Sequence, residues 1–156
     1  MGMLYTATFA GVAVTAQQDF FELAAPADCV VLIHQIQLSQ STEVGDAQEE
    51  GLSLLFKRGA TTTGSGGSTP TPSPIDFGYA AAGSTTKVNN TTKATAGTIV
   101  TMAADNWNVR SPYLWLPTPE LRFTLSPSQR FTLELATTPA DSITMSGTLW
   151  FEEIGG

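Results

Sequence analysis

Hydrophobic and polar positions alternate along most of this chain with a period of two. That spacing puts successive side chains on opposite faces of a β-strand. The clearest stretch begins at Arg130. Phe131, Leu133 and Leu135 alternate with Thr132, Glu134 and Ala136. After Thr137-Thr138-Pro139-Ala140-Asp141, Ile143, Met145, Leu149 and Phe151 alternate with Thr144, Ser146, Thr148, Trp150 and Glu152. This pattern predicts a β-hairpin with one face for a core and one largely polar face.

The same rhythm recurs upstream. Residues 4–9 read as a first strand, 11–15 continue it or begin another, and 18–24 form a short strand before the turn Ala25-Pro26-Ala27-Asp28. The longest strand is expected over 29–40. Val30, Leu32, Ile36 and Leu38 share one face of it, with His34 between them, and Val31 and Ile33 begin the other. Residues 51–58 return with Leu52, Leu54 and Phe56 inward. Weak strands are expected over 85–90 and 98–102. Tyr113-Leu114-Trp115-Leu116 is bracketed by Pro112 and Pro117, which predicts an edge position. With Leu121, Phe123 and Leu125 this makes about eight to ten short strands, and no segment holds a helical period. The reading is an all-β, antiparallel two-sheet sandwich of jelly-roll type, one domain spanning 1–156.

One segment breaks the rhythm. Residues 59–74 read GATTTGSGGSTPTPSP. Such small residues bury little apolar surface to offset the ~1–2 kcal/mol per residue that backbone ordering costs. The expectation is a flexible loop outside the core, ordered mainly by a neighbouring chain, with Pro70, Pro72 and Pro74 biasing its end towards an extended arm.

Composition narrows the function. Charged residues make up 13% of the chain, about half the usual ~25%. Thr, Ser, Gly, Gln and Asn replace them, which suits strands and also surfaces that pack against protein. Net charge is −7, and of the seven basic residues only Lys57 and Arg58 are adjacent. Direct nucleic-acid binding needs clustered positive charge and is not expected, nor is binding to an anionic membrane. No apolar run approaches the ~18 residues of a membrane helix, and Met1-Gly2-Met3-Leu4-Tyr5 lacks the basic region of a signal peptide. The lone Cys29 reads as a small buried hydrophobe in a protein made in a reducing cytoplasm.

Catalytic chemistry is hard to assemble. His34 is the only histidine, and no Gly-x-Ser-x-Gly elbow is present. Among Glu43, Asp46, Glu49, Glu50, Glu120 and Glu134, no two are singled out as a glycosidase pair. Asp46, Glu49 and Glu50 in the acidic loop 43–50 could offer oxygens to calcium, but the spacing is no EF-hand and reads as a solvated turn. No catalytic residue, cofactor or metal is expected. The residues with most to offer a partner are Tyr5, Phe9, Trp107, Tyr113, Trp115 and Trp150. As a protein-interaction set they suit a structural protein. As a stacking platform, Trp107, Tyr113, Trp115 and Trp150 would suit a carbohydrate-binding module instead.

Several phrases carry a resemblance. They are Tyr5-Thr6-Ala7-Thr8-Phe9, residues 17–23 (QQDFFEL), residues 40–50 (QSTEVGDAQEE) and residues 146–156 (SGTLWFEEIGG). Together they resemble small structural proteins of tailed bacteriophages, including head decoration (cement) proteins. The resemblance implies a non-enzymatic virion protein made in the bacterial host cytoplasm. Its partners would be the major capsid protein and copies of itself, with a trimer as one expected form. A tail, neck or head-fibre location is the alternative within the same class. The resemblance defines no functional residues.

Overall fold

Two antiparallel sheets stack face to face in this computed structural model, which describes residues 2–43 and 49–155. The strands are β1 (Met3–Val14), β2 (Gln18–Ala24), β3 (Val30–Gln40), β4 (Gly51–Arg58), β5 (Ser73–Pro74), β6 (Thr85–Asn90), β7 (Val100–Asn108), β8 (Tyr113–Trp115), β9 (Thr124–Leu125), β10 (Arg130–Leu135) and β11 (Ile143–Ile154). The first sheet runs β5-β1-β11-β3-β8, with β9 also on β3, and the second runs β6-β2-β10-β4-β7. Without β5, β6 and β9, the orders 1-11-3-8 and 2-10-4-7 are those of an eight-stranded jelly roll. No helix among the described residues is long and apolar enough to cross a membrane.

The core lies where the alternating apolar positions of the two sheets meet. Tyr5, Ile33, Ile36, Leu38, Leu149 and Phe151 of the first sheet face Phe21, Leu23, Leu54, Phe56, Phe131 and Leu133 of the second, all essentially inaccessible. Phe56 anchors an aromatic cluster, with ring centroids 5.3 Å from Trp115, 5.6 Å from Phe123 and 6.2 Å from Phe131. Burying one such side chain contributes about 1.5–3 kcal/mol.

Three expectations from the sequence need correction. The strands either side of 136–142 do not pair: β10 lies in the second sheet between β2 and β4, while β11 lies in the first between β1 and β3. The polar turn is an arch between sheets. Period-two alternation sets which face is buried, but it is equally satisfied by two strands in different layers.

The second correction concerns β3. Ile33 pairs with Phe151 and Gln35 with Trp150, so His34 is an extra residue in a β-bulge. The bulge shifts the phase. Val31 and Ile33 point inward before it and Ile36 and Leu38 after it, while Leu32 and His34 point outward.

The third concerns residues 59–74. This segment is fastened to its own chain. Thr62 bridges Thr95, Ser65 bridges Thr92 and Ser68 bridges Val88, and Ser73–Pro74 adds a strand beside β1. Its glycines serve close approach: a Cβ on Gly67 would lie 2.0 Å from the Val88 carbonyl oxygen, and one on Gly64 would lie 2.6 Å from that of Thr92. The whole connection from β4 to β7 therefore wraps the sandwich. It crosses the outer face of the second sheet over β2 and β10, and it extends both sheets on the same side through β5 and β6.

Carboxylates hold this wrap down. Glu22, 3% exposed, accepts from the Thr63 hydroxyl at 2.7 Å, the Gly64 amide at 2.9 Å and the Asn90 side-chain amide at 3.0 Å. It also pairs with the Arg130 guanidinium at 2.8 Å. Glu134 pairs with Lys57 and, at 2.8 Å, with Lys93. Asp19 accepts the Ala94 amide at 2.8 Å. Burial pushes the Asp19 carboxyl up to about 6 despite that bond, and the nearby Glu134 and Glu22 charges add to the rise. Burial also works to raise Glu134, but the hydrogen-bonded Lys57 and Lys93 ammoniums outweigh it and hold its carboxyl below the ordinary value.

Candidate protein-docking face

The outer face of the first sheet has no such cover. Its cross-strand rows follow from the register. Thr8, Thr148, Gln37 and Leu114 form one row, Thr6, Trp150 and Gln35 the next, and Leu4, Glu152 and Leu32 a third. Ser146 and Ser39 pair beyond them. Among the described residues of these rows, Glu152 is the only ionisable side chain, and it is matched by His34 from the bulge. The sheet therefore presents hydroxyls, amides and a few apolar groups, with its one charge occupied locally.

His34 Nε2 lies 2.8 Å from Glu152 Oε2, and Glu152 Oε1 accepts the Gly2 amide at 2.8 Å. The pair stands in a hollow of about 320 Å³ lined by Gly2, Leu4, Ile75, Asp76 and Tyr79. A histidine beside a carboxylate can carry a proton, but the hydroxyl among the lining residues is the phenol of Tyr79. Among the described residues no serine, threonine or cysteine nucleophile lines the hollow. Among the described residues no three of His, Cys, Asp and Glu converge as metal ligands.

Apolar side chains border the face on both sides. Leu114 is 55% exposed, Leu116 65% and Leu121 68%, all on the edge where β8 and β9 join β3. On the opposite edge, after β5, Ile75 is 52% and Phe77 95% exposed.

The sequence-selected residues divide. Tyr5, Phe9, Trp107 and Tyr113 are buried, which leaves them little surface for a partner. Tyr5 donates its hydroxyl to the Ala80 carbonyl at 2.9 Å, and Trp107 donates its indole N–H to the Ser111 carbonyl. Tyr113 donates to Asp105 at 3.0 Å, and burial together with that bond raises its phenol pKa. Trp115 opposes Ile36 on the inward face and stacks on Phe123 at 4.9 Å. Trp150 alone of the six stands on the outer face, partly buried. The four-aromatic sugar platform is therefore not assembled, because its members occupy opposite sides of the first sheet or the core.

The acidic loop falls largely out of view: Asp46 and the rest of 44–48 lie outside the described residues. Its flanks are tied, with Glu50 accepting the Ala140 amide at 2.6 Å and the Glu43 amide donating to Gln40. Sequence reasoning missed Glu22, Asp19 and Glu153, the last buried and accepting the Ser84 amide at 2.7 Å. It also missed Phe77. In Gln18-Asp19-Phe20-Phe21-Glu22 the acids sit on the side of the strand opposite the core, where solvent is the ordinary expectation; only the wrap makes them interior.

No protein family, curated protein or solved structure matches this chain.

Proposed function

We propose that this chain is a non-enzymatic virion structural protein, a capsid decoration (cement) protein that binds the major capsid protein through the outer face of its first sheet. One observation carries the reading: the two outer faces are treated differently. The second sheet's face is covered over β2 and β10 by the wrap and locked there by ion pairs, while β7 at its far edge stays exposed. The first sheet's face is left open, nearly free of charge and bordered by exposed leucines. Charge depletion at the centre of a patch is what interface cores share. A repeating lattice would make many modest contacts collectively tight. The virion setting itself rests on the resemblance in the sequence.

The test is direct. Mass spectrometry of purified particles from the phage that encodes the chain finds it at high copy, and separated heads retain it. Absence from particles removes the reading, and recovery with tails moves it to the tail or neck alternative. Thr148→Glu places a charge mid-face with its side chain outward. It abolishes attachment to stripped heads while leaving the Tm of the isolated protein nearly unchanged. Full attachment of that variant assigns docking to another surface.

A further inference from the structure

Phe77 is almost wholly exposed, yet its turn is built to hold it out. The Ile75 amide donates to the Leu4 carbonyl at 2.9 Å, the Gly78 amide to Asp76 Oδ1 at 2.8 Å, and the Tyr79 amide to the Asp76 carbonyl at 3.0 Å. A phenyl ring held in water by an ordered turn forfeits the burial that most aromatic side chains obtain. The same turn forms one wall of the 320 Å³ hollow through Ile75, Asp76 and Tyr79. A cavity of ~150 Å³ is enough to admit benzene, so this hollow has room for a phenyl ring. Knob and socket thus lie side by side on one turn.

We propose that two copies of this chain associate about a two-fold axis, each seating Phe77 in the other's hollow against Leu4, Ile75 and Tyr79. A patch carrying both a knob and a fitting hollow is satisfied on both counts by a surface that also carries both. A second copy is such a surface, and a two-fold axis between knob and hollow satisfies all four in one continuous contact. Two buried phenylalanines supply about 300–500 Å², short of the ~1,200 Å² of a stable free complex. The dimer is therefore weak in solution and becomes effective when copies are concentrated on a surface. This inference rests on the reading of the chain as one that assembles with copies of itself, and it replaces the expected trimer with a dimer.

Sedimentation equilibrium of the isolated chain over rising concentration tests it. The expected result is a monomer–dimer equilibrium that Phe77→Ser weakens by roughly tenfold or more, as an anchor residue would. Ile75→Lys, at the exposed wall of the hollow, weakens it comparably. When a Phe77→Cys copy and a Tyr79→Cys copy are mixed and oxidised, a disulfide links them. A wild-type chain that stays monomeric at every concentration overturns the proposal. So does a trimer, or a dimer indifferent to Phe77→Ser. Thr148→Glu lies outside the turn and leaves the dimer intact, so failure of self-association and failure of capsid docking are read separately.

Discussion

Replacing Glu22 by alanine removes the acceptor on which the wrap converges. Four groups lose a partner: the Thr63 hydroxyl, the Gly64 amide and the Asn90 side chain, which donate to it, and the Arg130 guanidinium, which pairs with it. Each hydrogen bond to a charged group contributes about 1.5–3 kcal/mol, but they share one carboxylate and do not add. The better guide is the removal of one partner from a buried ion pair, which costs about 3–5 kcal/mol because the other charge is left uncompensated. In a chain of this size 1 kcal/mol moves Tm by about 2–4 °C, so Glu22→Ala lowers Tm by roughly 6–20 °C. Circular dichroism melting gives the size of the effect, and hydrogen exchange gives its place. Amides at Ser65, Ser68, Thr92 and Thr95 bridge the wrap to itself and should lose protection before those of β11. A Tm within ~2 °C of wild type, under 1 kcal/mol on the same scale, with unchanged exchange at those amides would refute the account of the wrap as fastened by this carboxylate.

Two further outcomes follow from the same region. Gly67→Ala puts a methyl group 2.0 Å from the Val88 carbonyl oxygen and 2.6 Å from the Asn89 carbonyl carbon; the backbones must part, and thermal melting should show a loss of about 1–3 kcal/mol, whereas Gly51→Ala, with open space around it, should stay close to wild type. For pH, the raised Asp19 carboxyl means the folded state holds that proton more tightly than the unfolded chain, so its contribution to stability falls as pH rises from about 4 through about 6. The lowered Glu134 carboxyl has the opposite sign, its contribution being present above the ordinary carboxylate value and lost as pH falls through its lower folded one. Tm should therefore rise as pH drops from 7 to 5 and fall at lower pH. Asp19→Asn, which keeps an acceptor for the Ala94 amide, should flatten the first limb, and an unaltered first limb in that variant would remove Asp19 as its cause.

What the sequence made legible was the alternation, and through it the fold class. Phe131, Leu133, Ile143, Met145, Leu149 and Phe151 are buried as their spacing requires. The prolines around Tyr113–Trp115 mark a strand that does lie at a sheet edge. Alternation could not say which sheet a strand joins, hence the mistaken hairpin across 136–142. It could not see the bulge at His34 either, since one inserted residue leaves no compositional mark. The residues chosen for exposure were large aromatics, and in this chain most of those fill the core. The proposed docking face is written instead in Thr6, Thr8, Gln37, Ser146 and Thr148, residues that read as ordinary strand exterior until β2 and β10 of the other sheet prove to be covered. The Gly-rich segment misled for a related reason. Glycine signals a loose chain or a close approach of two backbones, and only the neighbour at Val88–Asn89 distinguishes them.

The pairing of β1 with β11 sets a time as well as a place. Met3 lies opposite Glu153 and Val14 opposite Ile143, so the central ladder of the open sheet joins segments separated by nearly the whole chain. Folding slows as contacts span more sequence, so a ladder of this separation is expected to close late. Contacts that form after the transition state must be broken before the barrier to unfolding is reached, and their strength therefore slows unfolding more than it speeds folding. The expected signature is slow refolding and slow unfolding, and stopped-flow kinetics on a β1–β11 variant such as Leu149→Ala should show the change mainly in the unfolding rate.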